Sequence, residues 1–498
     1  TVAVSTFKAE TYRFLRLDLT QDWAASARLP LVLSVLLAVG LLAGALRRTI
    51  RVRASLPILI QWLLWAWAAL SRVVSDGMAT LVPFFKDDYT KDVVFASLVG
   101  ALCDSVRKLR WLSWAFVSAM IFISYIAVSQ HDGPRKCFHF GLSGGSLNYV
   151  QLTDNRPCEV TDDCFTLPPG EENLRDEGWG CERQGTWGIG SFLGRVRYVG
   201  TLADPNALSL ALVMAVAMAL GLLFWPRRPD DPPPHPVGQR AAQVFLWIGV
   251  GLMSLAVFYA ASRAAQAALV LAFLCFFFQR IGLRGALLAA MLGAPMVLFS
   301  NRNAAEAAYS TFTRMQTQLN GYKAFLDQPL FGVGYGNYGR ISFITAHNSF
   351  LLTATETGVI GSALFLLGVY VVGKLLIQIR RFPAEDLLPP DPEDHGPYGD
   401  EEPPTLEERR ADLIELQHGA LVLLTVLVGV GWCVSFLSLS FDVMWLFPVG
   451  IMAGYSCAVR DRLPEFHFEL HWWEIALTLL FGAALPALFA VVATRGLI

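Results

Sequence analysis

The sequence predicts an all-α polytopic membrane protein with about 12 transmembrane helices. Two observations carry that reading. Of the 498 residues, 54% are hydrophobic and only 16% charged, where a soluble chain is about 25% charged. The apolar residues also fall in runs near the ~20 that a bilayer core needs. This arithmetic argues against a soluble multidomain enzyme. Lys+Arg 39 against Asp+Glu 41 leave a net charge of -2, so no basic excess points to nucleic acid, and 14 Trp with 33 Phe suit bilayer contact.

In chain order, residues 1–28 form an interfacial segment. Tyr12, Leu15, Leu19 and Trp23 recur at helical spacing with Lys8, Arg13 and Arg16 between them. The stretch lacks a small-residue cleavage site and is not read as a signal peptide. The N-terminal helices fill 29–129, with spans near 29–46, 56–74, 92–104 and 111–129. A loop, 130–200, separates them from central spans in 201–300, near 202–224, 241–261, 264–279 and 285–300. The loop 301–350 precedes one helix in 351–380, near 354–378. An acidic, proline-rich loop, 381–417, leads to C-terminal spans in 418–498, near 418–440, 443–459 and 473–493.

Short basic connectors orient the chain, because Lys and Arg in short loops stay cytoplasmic. Arg47-Arg48-Thr49-Ile50-Arg51-Val52-Arg53, Arg107-Lys108-Leu109-Arg110, Pro226-Arg227-Arg228 and the stretch 280–284 agree in parity. They place 130–200 and 301–350 outside, the acidic loop inside and both termini outside. Cysteines give an independent signal. Cys137, Cys158, Cys164 and Cys181 all lie in the loop 130–200, which implies two disulfides and an oxidising compartment. Three pairings are open. A zinc site is the rival, though no pair has Cys-x-x-Cys spacing. Gly141, Gly144, Gly145 and further glycines, with Pro157, Pro168 and Pro169, favour turns over regular elements, so a small stapled cap is expected. Inside, 383–404 is proline-rich and acidic and reads as a disordered connector, after which Thr405-Leu-Glu-Glu408 has capping-box spacing and opens a short amphipathic helix.

The loop 301–350 is the most informative. It carries Arg314, Gly321-Tyr322-Lys-Ala-Phe325, Gln328-Pro-Leu-Phe-Gly332-Val-Gly334-Tyr-Gly336-Asn-Tyr338 and Ala346-His347-Asn348-Ser349, and the next span opens with Glu356-Thr-Gly358. Glycines at alternate positions let a backbone turn tightly and bring exposed amides to a ligand. No Gly-Lys-Ser/Thr follows, so a nucleotide P-loop is not supported. His347 stands before an apolar helix, where it could serve as base, hydrogen-bond donor, metal ligand or structural residue. Arg197, Arg263 and Arg314 are expected at the outer interface, where guanidinium groups hold a diphosphate by paired hydrogen bonds or simply reach to headgroups.

The string 329–358 resembles the signature of the O-antigen ligase and Wzy-type polymerase superfamily: an arginine, an aromatic, a Pro-x-x-Gly-x-Gly-x-Gly-Asn turn, then His-Asn before a helix with Glu-x-Gly. Two further segments extend it. Arg197-Tyr-Val-Gly200 through Pro205-Asn206 looks like the family's lead into a helix, and Ser262-Arg263-Ala264-Ala265 like its Ser-Arg turn, with alanines where glycines are frequent. The resemblance covers about 195–365 and implies a GT-C-like glycosyltransferase of the bacterial inner membrane with its site facing the periplasm. It implies an undecaprenyl-diphosphate-linked oligosaccharide as donor and a lipid-linked repeat or lipid A-core as acceptor, with membrane lipids and a chain-length regulator protein as partners and no cofactor or metal. His347, Arg314 and Arg263 would be catalytic. Arg197, Asn206, Asn348, Tyr322, Gly334, Gly336 and Glu356 would bind substrate, with Asn348 or Glu356 fixing the His347 ring.

Two rivals remain. A metal-dependent GT-C enzyme would use carboxylates of the first outer loop, such as those in Lys86-Asp87-Asp88-Tyr89. A lipid flippase or transporter would show paired repeats and ionisable groups near the midplane, whereas the charges here cluster at span ends.

Overall fold

The computed structural model describes residues 55–142, 149–164, 179–198, 202–228, 235–298, 304–342, 344–387 and 405–495. The amphipathic segment 1–28, the span expected at 29–46, the connector 47–53 and most of the acidic loop lie outside the described residues. In chain order come α1 (Leu56–Asp76), α2 (Asp88–Leu102), α3 (Val106–Ser129), strands β1 (Arg135–Leu142), β2 (Tyr149–Pro157) and β3 (Trp179–Arg183), and α4 (Pro205–Leu223). Then follow α5 (Pro236–Tyr259), α6 (Arg263–Ile281), α7 (Leu283–Leu298), α8 (Ala304–Asp327), α9 (Ser349–Arg381), α10 (Leu406–Val434), α11 (Val443–Arg462) and α12 (Trp472–Arg495).

Among the described residues, 8 helices are long and apolar enough to cross a membrane: α1, α3, α4, α5, α6, α9, α10 and α11. The chain is a multi-pass membrane protein. The twelve spans expected include one, near 29–46, that lies outside the described residues, so these eight do not test the count. At 15 residues, α2 falls short of the ~20 a crossing needs, while α7 ends at the limit of the described residues and α12 runs for 24 residues, Trp472–Arg495. The short amphipathic helix expected after Thr405 is the first part of the 29-residue α10, opened by the expected capping box. Its apolar face runs on without a breaker into the span.

The helices and strands divide into two compact units. The first holds most of α3, the strands, most of α4 and α5, and α6 and α7. Here the all-α expectation needs correction, because the stapled cap contains a three-stranded antiparallel sheet in the order β2-β1-β3. In β1 the adjacent Cys137 and Phe138 are both buried, with Gly190 so close above Phe138 that a Cβ there would come within 2.9 Å of the ring. Disulfides Cys137–Cys164 and Cys158–Cys181 select one of the three open pairings.

The second unit is built around α9 and α11. In α11, Gly450 and Gly454 lie one turn apart and face Ala96 and Gly100 of α2. A Cβ on Gly450 would stand 2.5 Å from the Ala96 carbonyl oxygen, and one on Gly454 2.5 Å from that of Gly100. Small residues at this spacing let helix backbones meet where apolar lipid supplies no hydrophobic drive.

Candidate functional site

Within the second unit the site begins with a break in α9. Gly358 has φ 70 and ψ -168, a region that essentially only glycine enters. A side chain there would run into the carbonyl of Leu330. Breaking a helix leaves carbonyls without their intrahelical donors, which is costly in an apolar setting, and the Gly-rich loop supplies replacements. Val333 N–H donates to the Thr355 carbonyl (2.9 Å), Gly334 N–H to that of Glu356 (3.1 Å), and Val359 N–H to that of Pro329 (2.8 Å). From α1, Ser71 Oγ donates to the Glu356 carbonyl (2.7 Å) and Trp67 Nε1 to that of Thr357 (2.7 Å).

The glycines serve this docking. Gly332, Gly334 and Gly336 all have positive φ, and a Cβ on Gly332 would stand 2.5 Å from the Thr355 carbonyl oxygen. The buried Glu356 carboxylate accepts from the amides of Gly336 and Tyr338, the latter at 3.1 Å. The amides expected to face a ligand are therefore turned onto α9. A polar clamp completes the loop. Asp76, in the last turn of α1, pairs with Arg72 (3.1 Å) and Arg340 (2.7 Å) and accepts from Asn337 Nδ2 (3.0 Å), while Arg72 also donates to the carbonyl of Tyr335. Sequence reasoning missed this clamp. Its signal was the polar set Ser71, Arg72, Ser75 and Asp76 ending an otherwise apolar helix.

His347 precedes α9 with φ 49, a left-handed conformation uncommon for a non-glycine residue. Its neighbours hold it there. Asn348 caps α9 by accepting from Leu351 N–H (2.9 Å) and donates through Nδ2 to the Ser435 carbonyl (2.9 Å). Ser349 Oγ donates to the Leu437 carbonyl (2.6 Å) and accepts from Leu439 N–H (2.8 Å). Asn348 and Glu356 thus spend their side chains on backbone, and the expectation that one of them fixes the His347 ring gives way to fixation through the backbone. The imidazole is partly buried. Burial, followed by the positive charge of Arg314, lowers its pKa to about 4, so the ring is neutral at physiological pH. Arg314 and Tyr322 sit two turns apart on α8, both partly buried.

In the first unit, the arginines divide by role. Arg197 is 1% exposed; its Nε donates to the Gly190 carbonyl (3.0 Å), and its backbone is clasped by the Gln130 amide in both directions, at 3.0 and 2.7 Å. Asn206 is held by Arg195, not Arg197, at 3.0 Å, and Arg195 Nε also donates to the Ala260 carbonyl (2.7 Å). The Arg197 group expected at the interface is built into the protein instead, because the turn 190–197 folds over it. Arg263 differs. It is exposed in the first turn of α6, after Ser262 and after Ala261, whose φ is 49. Both the His347 and the Arg263 motifs thus follow or contain a left-handed non-glycine residue, strain of the kind found at functional sites.

The four cysteines of the cap are paired as disulfides, which leaves no thiolate among them for zinc. Asp87 caps α2 through Asp88 N–H (2.6 Å) and accepts from Tyr335, and Asp88 pairs with Lys91 (2.8 Å).

Residues 248–366 match the O-antigen ligase family model. The similarity to that family spans less than a quarter of the chain. The match takes in Arg263, Arg314, the Gly-rich loop, His347 and the break at Gly358; Arg197 and Asn206 lie before it. No curated protein matches the chain significantly.

Proposed function

We propose that this chain is an enzyme of the O-antigen ligase and Wzy-type polymerase superfamily that transfers a glycan from undecaprenyl diphosphate to an acceptor hydroxyl at the periplasmic face of the bacterial inner membrane, as a Wzy-type polymerase. The supporting observation is His347, neutral, backbone-fixed and within the field of Arg314. The acceptor oxygen attacks the anomeric carbon from the face opposite the diphosphate, so configuration inverts. Its proton passes to the His347 ring as the bond to the diphosphate oxygen breaks, and the lipid diphosphate leaves with its charge held by Arg314. Such oriented charge is commonly the largest catalytic contribution. The leaving group is already activated, so neither nucleotide nor divalent ion is required. A bound diphosphate also offsets the charge of Arg314 and raises the His347 pKa toward neutrality, strengthening the base once donor is present.

Purified protein should turn over a lipid-diphosphate glycan in EDTA; complete loss of transfer there contradicts the metal-free route. The ligase reading, transfer to lipid A-core, is favoured by the matched family's description, and the polymerase reading by the additional stapled cap. A glycan-length profile from a deletion strain separates them: loss of the ladder with one unit still attached means polymerase, and loss of all attachment means ligase.

A further inference from the structure

The cap carries two bulky apolar residues in an unfavourable backbone conformation, both turned outward. Trp187 has φ 65 and is 49% exposed; Leu193 has φ 50 and is 77% exposed. For side chains of this size the left-handed region costs about 1–2 kcal/mol, and neither side chain recovers that cost by deep burial. Leu193 and Gly194 are the central pair of a two-residue hairpin turn between Phe192 and Arg195, closed by bonds of 2.9 and 3.0 Å. The first position of such a turn favours Asn or Asp. Here leucine is held in place by the buried Glu182, whose carboxylate accepts from the amides of Leu193 and Gly194 (3.1 Å for Gly194) and from Ser191 Oγ.

The surroundings indicate what these residues meet. Trp187 lies against Phe122 and Tyr125, with ring centroids 5.2 and 6.4 Å away. Both belong to the membrane-crossing helix α3, are 41% and 51% exposed, and sit about 10 and 6 Å short of its last residue at about 1.5 Å per residue. Trp187 therefore continues the lipid-facing surface of a span at the depth of an aromatic belt. The Leu193 turn is tied to the end of a second span: Val196 N–H bonds the Tyr259 carbonyl (3.4 Å) and Arg195 the Ala260 carbonyl at the end of α5. We propose that the segment 186–195 is a membrane anchor, which seats the disulfide-stapled cap on the bilayer by placing Trp187 and Leu193 at the boundary of headgroups and acyl chains. The partner is the lipid surface itself.

The test uses the full chain, with its disulfides, in vesicles of phosphatidylethanolamine and phosphatidylglycerol. Cys275, the half-buried free cysteine, is replaced by serine, and L193C or V160C is labelled with an environment-sensitive fluorophore. Val160 is the aqueous control, 58% exposed on the same cap. The Leu193 label should emit to the blue of the Val160 label and be quenched several-fold more by shallow nitroxide lipid than by aqueous iodide, with the order reversed at Val160. Equal iodide quenching at both positions overturns the proposal, as does a blue shift that appears only at high protein-to-lipid ratio, which would mean a second copy covers the turn. Leu193→Asn, suited to the turn, should leave the thermal midpoint in detergent unchanged or raised. A fall would mean that Leu193 packs on protein and would also overturn it.

Discussion

Two segments of this chain carry arginines and glycines in motif-like strings, and they use them in opposite ways. In the segment 190–206 of the first unit, Arg195 and Arg197 are turned inward to backbone carbonyls and Asn206, while Arg263 further along stays exposed. In the segment 329–358 of the second unit, the glycines and Glu356 build a docked loop, and the residue left available for chemistry is His347. A residue can therefore belong to a functional signature because it builds the frame. The glycines and Glu356 do this in one segment, Arg197 and Asn206 in the other.

The largest effect is expected from Gly358→Ala. It places a Cβ against the Leu330 carbonyl in a backbone region closed to alanine, at a cost of roughly 3 kcal/mol or more. Little folded protein should be recovered by size-exclusion chromatography; normal yield and stability would remove the broken helix from the account. Arg197→Ala and Arg263→Ala then sharpen the contrast between arginines. The first should lower the thermal midpoint, since truncating a buried, hydrogen-bonded group costs about 2–3 kcal/mol. The second should leave stability within about 0.5 kcal/mol. Equal loss of stability in the two would erase the distinction.

Much of this was legible in the sequence. Low charge and apolar runs gave a multi-pass helical protein, cysteine placement gave a stapled loop, and the order of Arg314, the glycines and His347 gave the family likeness. The rest depended on three-dimensional pairing. Nothing near Glu356 in sequence shows that its carboxylate meets amides 18 and 20 residues earlier. The sheet was masked by loop glycines and prolines and by strands without a clean apolar/polar alternation, since Cys137 and Phe138 are neighbours and both buried. The short apolar run near 92–104 was read as a span, yet its helix α2 has only 15 residues and packs against α11.

Smaller effects test the electrostatics. Glu356→Gln keeps the shape but puts an NH₂ that cannot accept in place of one carboxyl oxygen, so an amide of the loop loses its acceptor and stability should fall by about 1–2 kcal/mol, with the loss visible as earlier thermal unfolding. A pH profile of kcat/KM reports the free enzyme. With the His347 pKa lowered to about 4, the neutral base persists as pH falls, so activity should hold through pH 6 and decline only toward 4. The limb in kcat, which reports the donor complex, should lie at higher pH. A kcat/KM limb near 6.5 would mean an unperturbed histidine.

The central claim is that His347 takes the acceptor proton, and its most direct measurement is single-turnover transfer from a lipid-diphosphate glycan by His347→Gln protein. The account predicts a rate about 10²–10⁴-fold below that of the unaltered chain, with donor affinity and thermal midpoint preserved. A rate within threefold, roughly 0.7 kcal/mol of barrier, would contradict it.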